Sequence, residues 1–368
     1  MPEAQVVSGE YSYLPIDRVH FGPGSISRLS EELDKIRSQR PFVITGQTIA
    51  EKTRLVDMVE EASGRRLVGV FSAIKQHAPI SDTRRAIGEA ERTRADSLIS
   101  LGGGSPIDST KVVVKELSEN FTKPTIAHLA IPTTLSAAEF SYSAGMTDEN
   151  TKRKTGVRDP RLVPRIIFLD PKITIDTPSW LWACTGIRSL DHAVESIYSP
   201  RHQPYVDTLA LESIRLLFQN LKRSTDNPTE LAPRLACQTA AWMSFAGVQS
   251  VGTGLSHAIG RVIGATWNIP HGITSCLTLA EVMKHQARKY PDRLALIALA
   301  EGQDPKGLSK DKQAEFAAER VEELVKELGL SKGLSDYGIR REDLPSIARD
   351  ASGPEEYSMA LDVLEAIF

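Results

Sequence analysis

The sequence predicts an α/β N-terminal domain with a parallel sheet, residues 1–177, followed by an all-α C-terminal domain, residues 178–368. Three observations carry this. Short β-branched runs alternate with longer amphipathic stretches through the first third, one of those runs ends in three consecutive glycines, and strand signals nearly vanish after Pro178.

Residues 41–45 (PFVIT), 66–71 (RLVGVF), 97–101 (SLISL) and 126–131 (IAHLAI) read as strands. Residues 50–62, 82–94 and 106–117 carry helical spacing between them, so the order is βαβαβαβ and the sheet is parallel. Residues 155–170 (TGVRDPRLVPRIIFLD) read as one further extended element closing this half. Beyond Pro178, residues 190–198, 206–221, 231–245 and 316–328 are helix-like. Residues 301–332 form a charged amphipathic stretch, read as a solvated helical face, and residues 354–368 read as a closing helix. Two such domains leave a cleft between them, the usual place for a ligand.

Composition narrows the function classes. A chain of 368 residues with 41% hydrophobic and 25% charged residues can bury two ordinary cores. A formal charge of -3 with no basic stripe gives no footprint for nucleic acid. Cys184, Cys237 and Cys276 are scattered, odd in number and without a C-x-x-C spacing, which fits a reducing compartment. No basic segment followed by an apolar run opens the chain, and no stretch approaches the roughly 18 apolar residues of a spanning helix. The expectation is a cytoplasmic protein with a small-molecule substrate, away from membranes.

Residues 100–111 read SLGGGSPIDSTK: a strand, a glycine triplet, then a helix beginning at Ser105. Glycines let backbone approach a phosphate, and a helix start offers free N–H groups and the positive end of its dipole. The run is not G-x-G-x-x-G, and a plain strand-to-helix turn would look similar. Asp108 and Lys111 fall on the first turns of that helix, as ligand contacts or as capping and surface charges. A second loop, residues 131–140 (IPTTLSAAEF), leaves the next strand with Thr133 and Thr134, which either donate to a ribose or phosphate or cap the helix containing Glu139. Trp180, Trp182, Trp242 and Trp267 read as core, with Trp267 and Phe140 near enough to the loops to line a pocket.

The two loops together resemble those of iron-containing alcohol dehydrogenases, a superfamily with a dehydroquinate synthase-like fold. GGGSPIDSTK matches their GGGS-x-x-D-x-x-K segment and IPTT followed by Glu139 their second nucleotide loop. FGPGS at residues 21–25, Lys154 with RDPRLVPRIIFLDP, HAVESIY from His192 and IPHG at residues 269–272 follow in the same order, covering most of residues 18–285. The short spacing from IPTT to Glu139, and RKTGVRDP, are closest to maleylacetate reductases. The resemblance implies NAD or NADP as hydride carrier and a homodimer. It assigns Gly102, Gly103, Gly104 and Ser105 to the pyrophosphate and Asp108, Thr133, Thr134 and Lys154 to the cofactor groove. Thr45 and Gly46 stand where many relatives hold the adenine ribose with an acid, which leaves a 2'-phosphate open.

In metal-dependent relatives an aspartate, a histidine four residues later and two further histidines hold a divalent ion. His192, His257 and His271 stand at the three histidine positions, but the aspartate position is Arg188, and a histidine near the nicotinamide is replaced by Arg261. Residues four apart share a helix face, so Arg188 with His192 and His257 with Arg261 form two pairs expected to converge. Arginine has no lone pair for a metal. Two unit charges about 4 Å apart interact by about 4 kcal/mol at an effective dielectric of 20, and a divalent ion beside Arg188 meets roughly twice that. With three neutral imidazoles as the only ligands, Fe or Zn is not expected; were one bound, His192, His257 and His271 would hold it. Asp191, next to His192, is a candidate replacement ligand, but it points about 100° round the helix from His192, so a solvated or helix-packing role is expected; Glu195 shares its face, and the plain reading of both is surface charge.

Arg188 can instead polarise a carbonyl or pair with a carboxylate, which points to an anionic oxo-acid reduced by NAD(P)H, with Arg188, His192, His257, Arg261 and His271 as the catalytic set. Three alternatives stand beside this reading: a metal-dependent dehydrogenase on the three histidines; a lyase, isomerase or cyclase that has repurposed the fold; and a catalytically silent binding subunit.

Overall fold

The structure, a computed structural model, describes residues 8–119, 122–149, 151, 153–302, 304 and 306–368. Its contacts group the chain into two compact units. One comprises Leu14–Trp182 with Arg223–Thr239; the other takes in the residues through Tyr13, Ala183–Lys222 and Ala240–Phe368.

The first unit is built on strands β1 (Arg18–Phe21), β2 (Pro41–Ile44), β3 (Gly69–Phe71), β4 (Ser97–Gly102), β5 (Ala127–Pro132), β6 (Ser143–Asp148), β7 (Arg153–Arg158) and β8 (Ile166–Leu169). Six of them form one parallel sheet in the order β1-β8-β5-β4-β2-β3, while β6 and β7 pair antiparallel as a separate hairpin. Helices α1 (Leu29–Lys35), α2 (Gln47–Lys52), α3 (Leu55–Ala62), α4 (Ile80–Arg92) and α5 (Gly104–Leu117) connect the strands. Side chains alternate across a strand, so β2 sends Val43 to one face with Ile99, Leu101, Leu129 and Phe168, packed under Leu29, Leu33, Leu55 and Val59. It sends Phe42 and Ile44 to the other face with Leu98, packed under Ala86, Ala90, Val113 and Val114. Both faces are covered, which is why these strands are apolar throughout. The strand order reverses between β2 and β4, so the chain ends of β2, β4 and β5 open the crevice where such sheets bind ligands.

The strands expected at residues 41–45, 97–101 and 126–131 are present to within a residue, and that at 66–71 shrinks to β3. The helix expected over 50–62 is two helices, because the Thr53 hydroxyl donates to the Ile49 carbonyl at 2.6 Å and accepts from the Leu55 N–H at 3.3 Å, ending one and starting the next. The single extended element expected at 155–170 is likewise divided. Asp159 caps a 3-10 turn at Pro160–Leu162, which separates β7 in the hairpin from β8 in the main sheet. Strands β1 and β6 have no counterpart in the sequence reading.

Residues 223–239 join this unit through Arg234, which is almost wholly buried and has no carboxylate against it among the described residues. Its Nε donates to Thr174 Oγ1 at 2.6 Å, its terminal nitrogens donate to the carbonyls of Ser224 and Thr174, and its plane lies 3.8 Å over the Trp182 ring. Burial pushes the guanidinium down to about 10, and carbonyl dipoles and the ring face stand in for a counter-ion. Trp182 is core, as expected, whereas Trp180 is half exposed.

From Ser179 the chain is helical: α6 (Ser179–Tyr198), α7 (Pro204–Asp226), α8 (Leu231–Phe245), α9 (Val248–Val251), α10 (Leu255–Thr266), α11 (His271–Ala287), α12 (Pro291–Ala300), α13 (Lys310–Glu327), α14 (Leu344–Ala351) and α15 (Tyr357–Ala366). The closing helix is α15. Helix α13 is solvated on one side only, since Ala314, Ala317, Ala318, Val321 and Leu324 form a buried stripe at helical spacing. Every residue of α6 from Trp182 to Tyr198 is buried. Glycine lets the helices meet at backbone distance: a Cβ on Gly272 would fall 2.7 Å from the Cys184 carbonyl, and one on Gly260 would fall 2.7 Å from Thr274 Oγ1. Helices α6, α10 and α11 are thereby drawn around a common set of polar side chains.

Arg234→Lys removes the planar fork and leaves buried carbonyls unpaired, so the unfolding free energy from urea titration should fall by about 2 kcal/mol.

Candidate functional site

In the sheet unit, the glycine loop continues β4 into α5. Gly102 has φ +140, and a Cβ there would meet Pro106 Cγ at 3.0 Å, so this position requires glycine. A Cβ on Gly103 would lie 3.1 Å from Thr134 Oγ1, and the Thr133 N–H donates to the Gly102 carbonyl at 2.9 Å; the two loops are one assembly. Gly103 precedes α5 in extended conformation and no side chain caps that helix, so its first-turn N–H groups face away from side-chain acceptors. The Thr134 hydroxyl is buried without a hydrogen-bond partner among the described residues. Ser105 Oγ accepts from the His77 N–H at 3.0 Å.

Other residues assigned to the cofactor serve the scaffold. Thr45 is fully buried and donates to the Leu101 carbonyl at 2.7 Å, tying the end of β2 to β4, so its hydroxyl points into the sheet; Gly46 beside it caps α2. Lys111 is neither a surface charge nor exposed. Its ammonium donates to the carbonyls of Ala138 and Ser143 at 2.7 and 2.8 Å and pairs with Asp108 at 3.1 Å, while Asp108 also accepts from the Gly145 N–H at 3.2 Å. The pair pins the stretch from Thr133 to β6 onto α5. The side chain of Lys154 lies outside the described residues.

In the helical unit, Arg188, His192, His257 and Arg261 fall on α6 and α10, and His271 opens α11, half-buried. His192 and His257 do converge, with ring centroids 4.8 Å apart, and Phe245 sits edge-on to His192. Arg188 does not pair with His192. Its terminal nitrogen donates to Ser275 Oγ at 3.0 Å and lies 3.4 Å from Asp191, and its Nε has no partner among the described residues. Arg261 is exposed and lines a cavity of about 370 Å³ with Glu195, Tyr198, Arg201, Gln286 and Lys289.

Asp191 and Glu195 overturn the surface-charge reading. They are 0% and 1% exposed, because α6 is buried on all sides and its helical periodicity assigns no face to solvent. Asp191 Oδ2 accepts from Ser275 Oγ at 2.6 Å and Ser256 Oγ at 2.9 Å and lies 3.3 Å from His257 Nδ1. Glu195 takes the first N–H groups of α10: Gly254 at 2.5 Å, Ser256 at 2.9 Å and His257 at 3.4 Å. Its Oε2 also lies 2.7 Å from His257 Nδ1. The signal for this was present in the spacing, since Arg188, Asp191, His192 and Glu195 crowd two turns of one helix, but only burial gives it meaning.

Electrostatics follow. Burial pulls Arg188 down to about 10 against the pull of Asp191 and Glu195. Burial and Arg188 push His257 down, but the two carboxylates outweigh them and raise it above the usual histidine value. Burial, then His257 and Arg188, hold His192 well below that value, so it is neutral. Burial raises Asp191, yet His257 and Arg188 leave it below the usual carboxylate range.

The metal question changes accordingly. Asp191, Glu195 and His257 each offer a ligand atom within 4.8 Å of the others, so a cation here would not meet neutral imidazoles alone, as expected from the sequence. Two buried carboxylates offset the repulsion from Arg188.

Glu139 makes a separate pH prediction. It is 1% exposed, its Oε2 lacks a partner among the described residues, and burial lifts it to about 7 against the pull of Lys111. A carboxyl raised in the folded state costs stability as pH climbs from its unfolded value through about 7. Urea titrations at pH 5 and pH 8 should show Glu139→Gln removing a loss of about 3 kcal/mol across that window.

Comparison with known proteins accords with both halves. Residues 16–171 match the iron-containing alcohol dehydrogenase family and residues 182–360 match the C-terminal domain of the Fe-containing alcohol dehydrogenase family. Maleylacetate reductase 1 of Cupriavidus pinatubonensis is 30% identical over 340 residues, 92% of this chain and 89% of that protein. Lactaldehyde reductase of Escherichia coli is 28% identical over 347 residues, 90% of each chain. The fold is that of 1,3-propanediol oxidoreductase, with TM-score 0.92 at 24% identity over 98% of this chain and 100% of that one. It is also that of maleylacetate reductase from Agrobacterium tumefaciens, with TM-score 0.85 at 24% identity over 99% of each. Among the described residues no helix is long and apolar enough to cross a membrane. The chain belongs to the iron-containing alcohol dehydrogenase family of oxidoreductases.

Proposed function

We propose that the protein is an NAD(P)H-dependent reductase that acts, without a metal, on the carbonyl or enone of a small anionic oxo-acid, a substrate class suggested by its similarity to proteins named maleylacetate reductase. The observation that carries this reading is the charge count around Arg188. Arg188 and His257, which the carboxylates raise above the usual histidine value, stand against the two buried carboxylates Asp191 and Glu195, so the cluster can balance its own charge without a further cation. A divalent ion on a neutral His257 would leave an excess positive charge. It would also have to draw Glu195 off the N-terminus of α10 and Asp191 off the hydroxyls of Ser256 and Ser275.

In this reading the glycine loop, Gly102–Ser105, receives the pyrophosphate on the free start of α5, and Thr133, Thr134, Gly46 and Lys154 line the groove with the Asp108–Lys111 clamp behind them. NAD(P)H supplies the hydride when bound. Arg188 and Arg261 attract the substrate carboxylate and stabilise negative charge that develops as the carbonyl or enone is reduced. A histidine gives the proton. Neutral His192, wedged against Phe245, excludes water from one side of His257. The protein acts as a cytoplasmic homodimer.

A second reading keeps the redox chemistry but places a divalent ion on Asp191, Glu195 and His257, favoured by their mutual distance of under 4.8 Å. Purified protein exhaustively treated with chelator should keep full maleylacetate-dependent oxidation of NADH or NADPH and carry far less than one metal per chain. Stoichiometric metal whose removal abolishes turnover establishes the second reading instead. Arg188→Met, which keeps bulk but removes the charge, should lower kcat/KM for the oxo-acid by about 100- to 1,000-fold in steady-state assays and leave the coenzyme KM unchanged.

A further inference from the structure

Apart from Arg261 and Glu195, the residues that line the cavity of about 370 Å³ in the helical unit take no part in the reductase chemistry. All of them belong to that unit, and Arg188 is not among them. The floor of the cavity is buried and polar. Tyr198 and Gln286 are 4% and 5% exposed, and Gln286 Oε1 has no hydrogen-bond partner among the described residues. A buried amide oxygen left unpaired costs about 1–3 kcal/mol, a cost that a donor on a ligand removes. Glu195 shares the floor, but its oxygens already accept from the N–H groups of Gly254 and Ser256 at 2.5 and 2.9 Å.

The rim is cationic. Arg201, Arg261 and Lys289 are exposed, and none of them forms an ion pair with a carboxylate among the described residues. Glu356 lines the same opening. Gly252 seats Arg201: its φ is +81, and a Cβ there would fall 2.5 Å from a terminal nitrogen of the guanidinium, so the arginine lies against bare backbone in the turn that leads into α10. Lys289 Nζ stands 5.0 Å from the centre of the Tyr290 ring, and that ring stacks on Tyr198 with centroids 6.3 Å apart, so an aromatic pair joins rim to floor.

We propose that this cavity binds a phosphate monoester that carries hydroxyl groups, of the size of a triose or polyol phosphate. A carboxylate offers two oxygens, whereas the three terminal oxygens of a phosphate monoester give one to each planar guanidinium fork and one to the ammonium. The charge of such a group, about −1.5 to −2 near neutral pH, matches three cations set against Glu356 once Glu195 is occupied by amides. The floor serves the organic part of the ligand. The Gln286 amide oxygen accepts from a hydroxyl, and the two tyrosine rings cover the carbon chain. The cavity is larger than a bare phosphate ion fills, which leaves room for that part. No bond is made or broken at this site, and it stands independently of the reductase reading.

Calorimetric titration of the whole chain with glycerol 3-phosphate at low salt should give a Kd below about 1 mM, with inorganic phosphate and glycerol each at least about 10-fold weaker. Arg201→Gln and Lys289→Gln, at exposed positions outside the residues assigned to the reaction, should each weaken the ester about 10-fold while the melting temperature stays at its wild-type value. Gln286→Leu, which keeps the bulk, should weaken the ester but not inorganic phosphate, because only the organic part reaches the floor. Inorganic phosphate bound as tightly as the ester, undiminished affinity in both rim variants, or no saturable heat at millimolar ester would each overturn the proposal. So would displacement of the ester by the oxo-acid, since the cavity would then be the reductase's own substrate pocket. The calorimetric readout needs no turnover, so a failure of the reductase reading leaves it untouched.

Discussion

Carboxylates stripped of water must find positive charge within a few ångströms, and that requirement organises the helical unit. Asp191 and Glu195 sit at full burial on a helix with no solvent face. An isolated buried ion is far too costly to keep, so Arg188, His257, the hydroxyls of Ser256 and Ser275 and the amides opening α10 all turn toward them. Each polar group on α10 and α11 near this point is placed by that demand. The glycines at 260 and 272 matter for the same reason, since only backbone-distance packing brings three helices close enough to supply the donors.

An arginine buried on α6 would be disruptive alone, since it places a cation where water cannot reach it. Here it is balanced, because Asp191, about one turn on, lies 3.4 Å from it directly and is also bridged to it by the Ser275 hydroxyl. The cluster thus holds a positive charge attached covalently to α6, beside two buried carboxylates.

The sheet unit solves a parallel problem. Lys111 is fully buried, yet its three donors find Asp108 and two loop carbonyls, so a single ammonium holds the second loop against the glycine loop's helix. The two loops are thus tied together over one buried cation. Glu139, nearby and only partly compensated, is raised by burial to about 7.

What the sequence alone determined is what local chemistry dictates. Periodicity located β2, β4 and β5 and the long helices, since a strand buried on both faces and an amphipathic helix leave marks in neighbouring residues. The glycine triplet declared itself because φ +140 at Gly102 admits little else, and the replacement of a ligand by Arg188 was visible from its place in an ordered set of motifs. The short strands β1 and β6 were not legible: β1 has four residues and takes its place only from distant β8, and the six of β6, paired with β7 outside the main sheet, show no run of buried apolar residues. The roles of Asp191 and Glu195 were hidden for a related reason. Which face of α6 meets water is not a property of α6; α10 and α11 bury it, and so turn two apparent surface charges into the partners of Arg188 and His257. Burial is a property of the assembled helices, and it alone decided that two carboxylates stand beside Arg188 and His257 in this cluster.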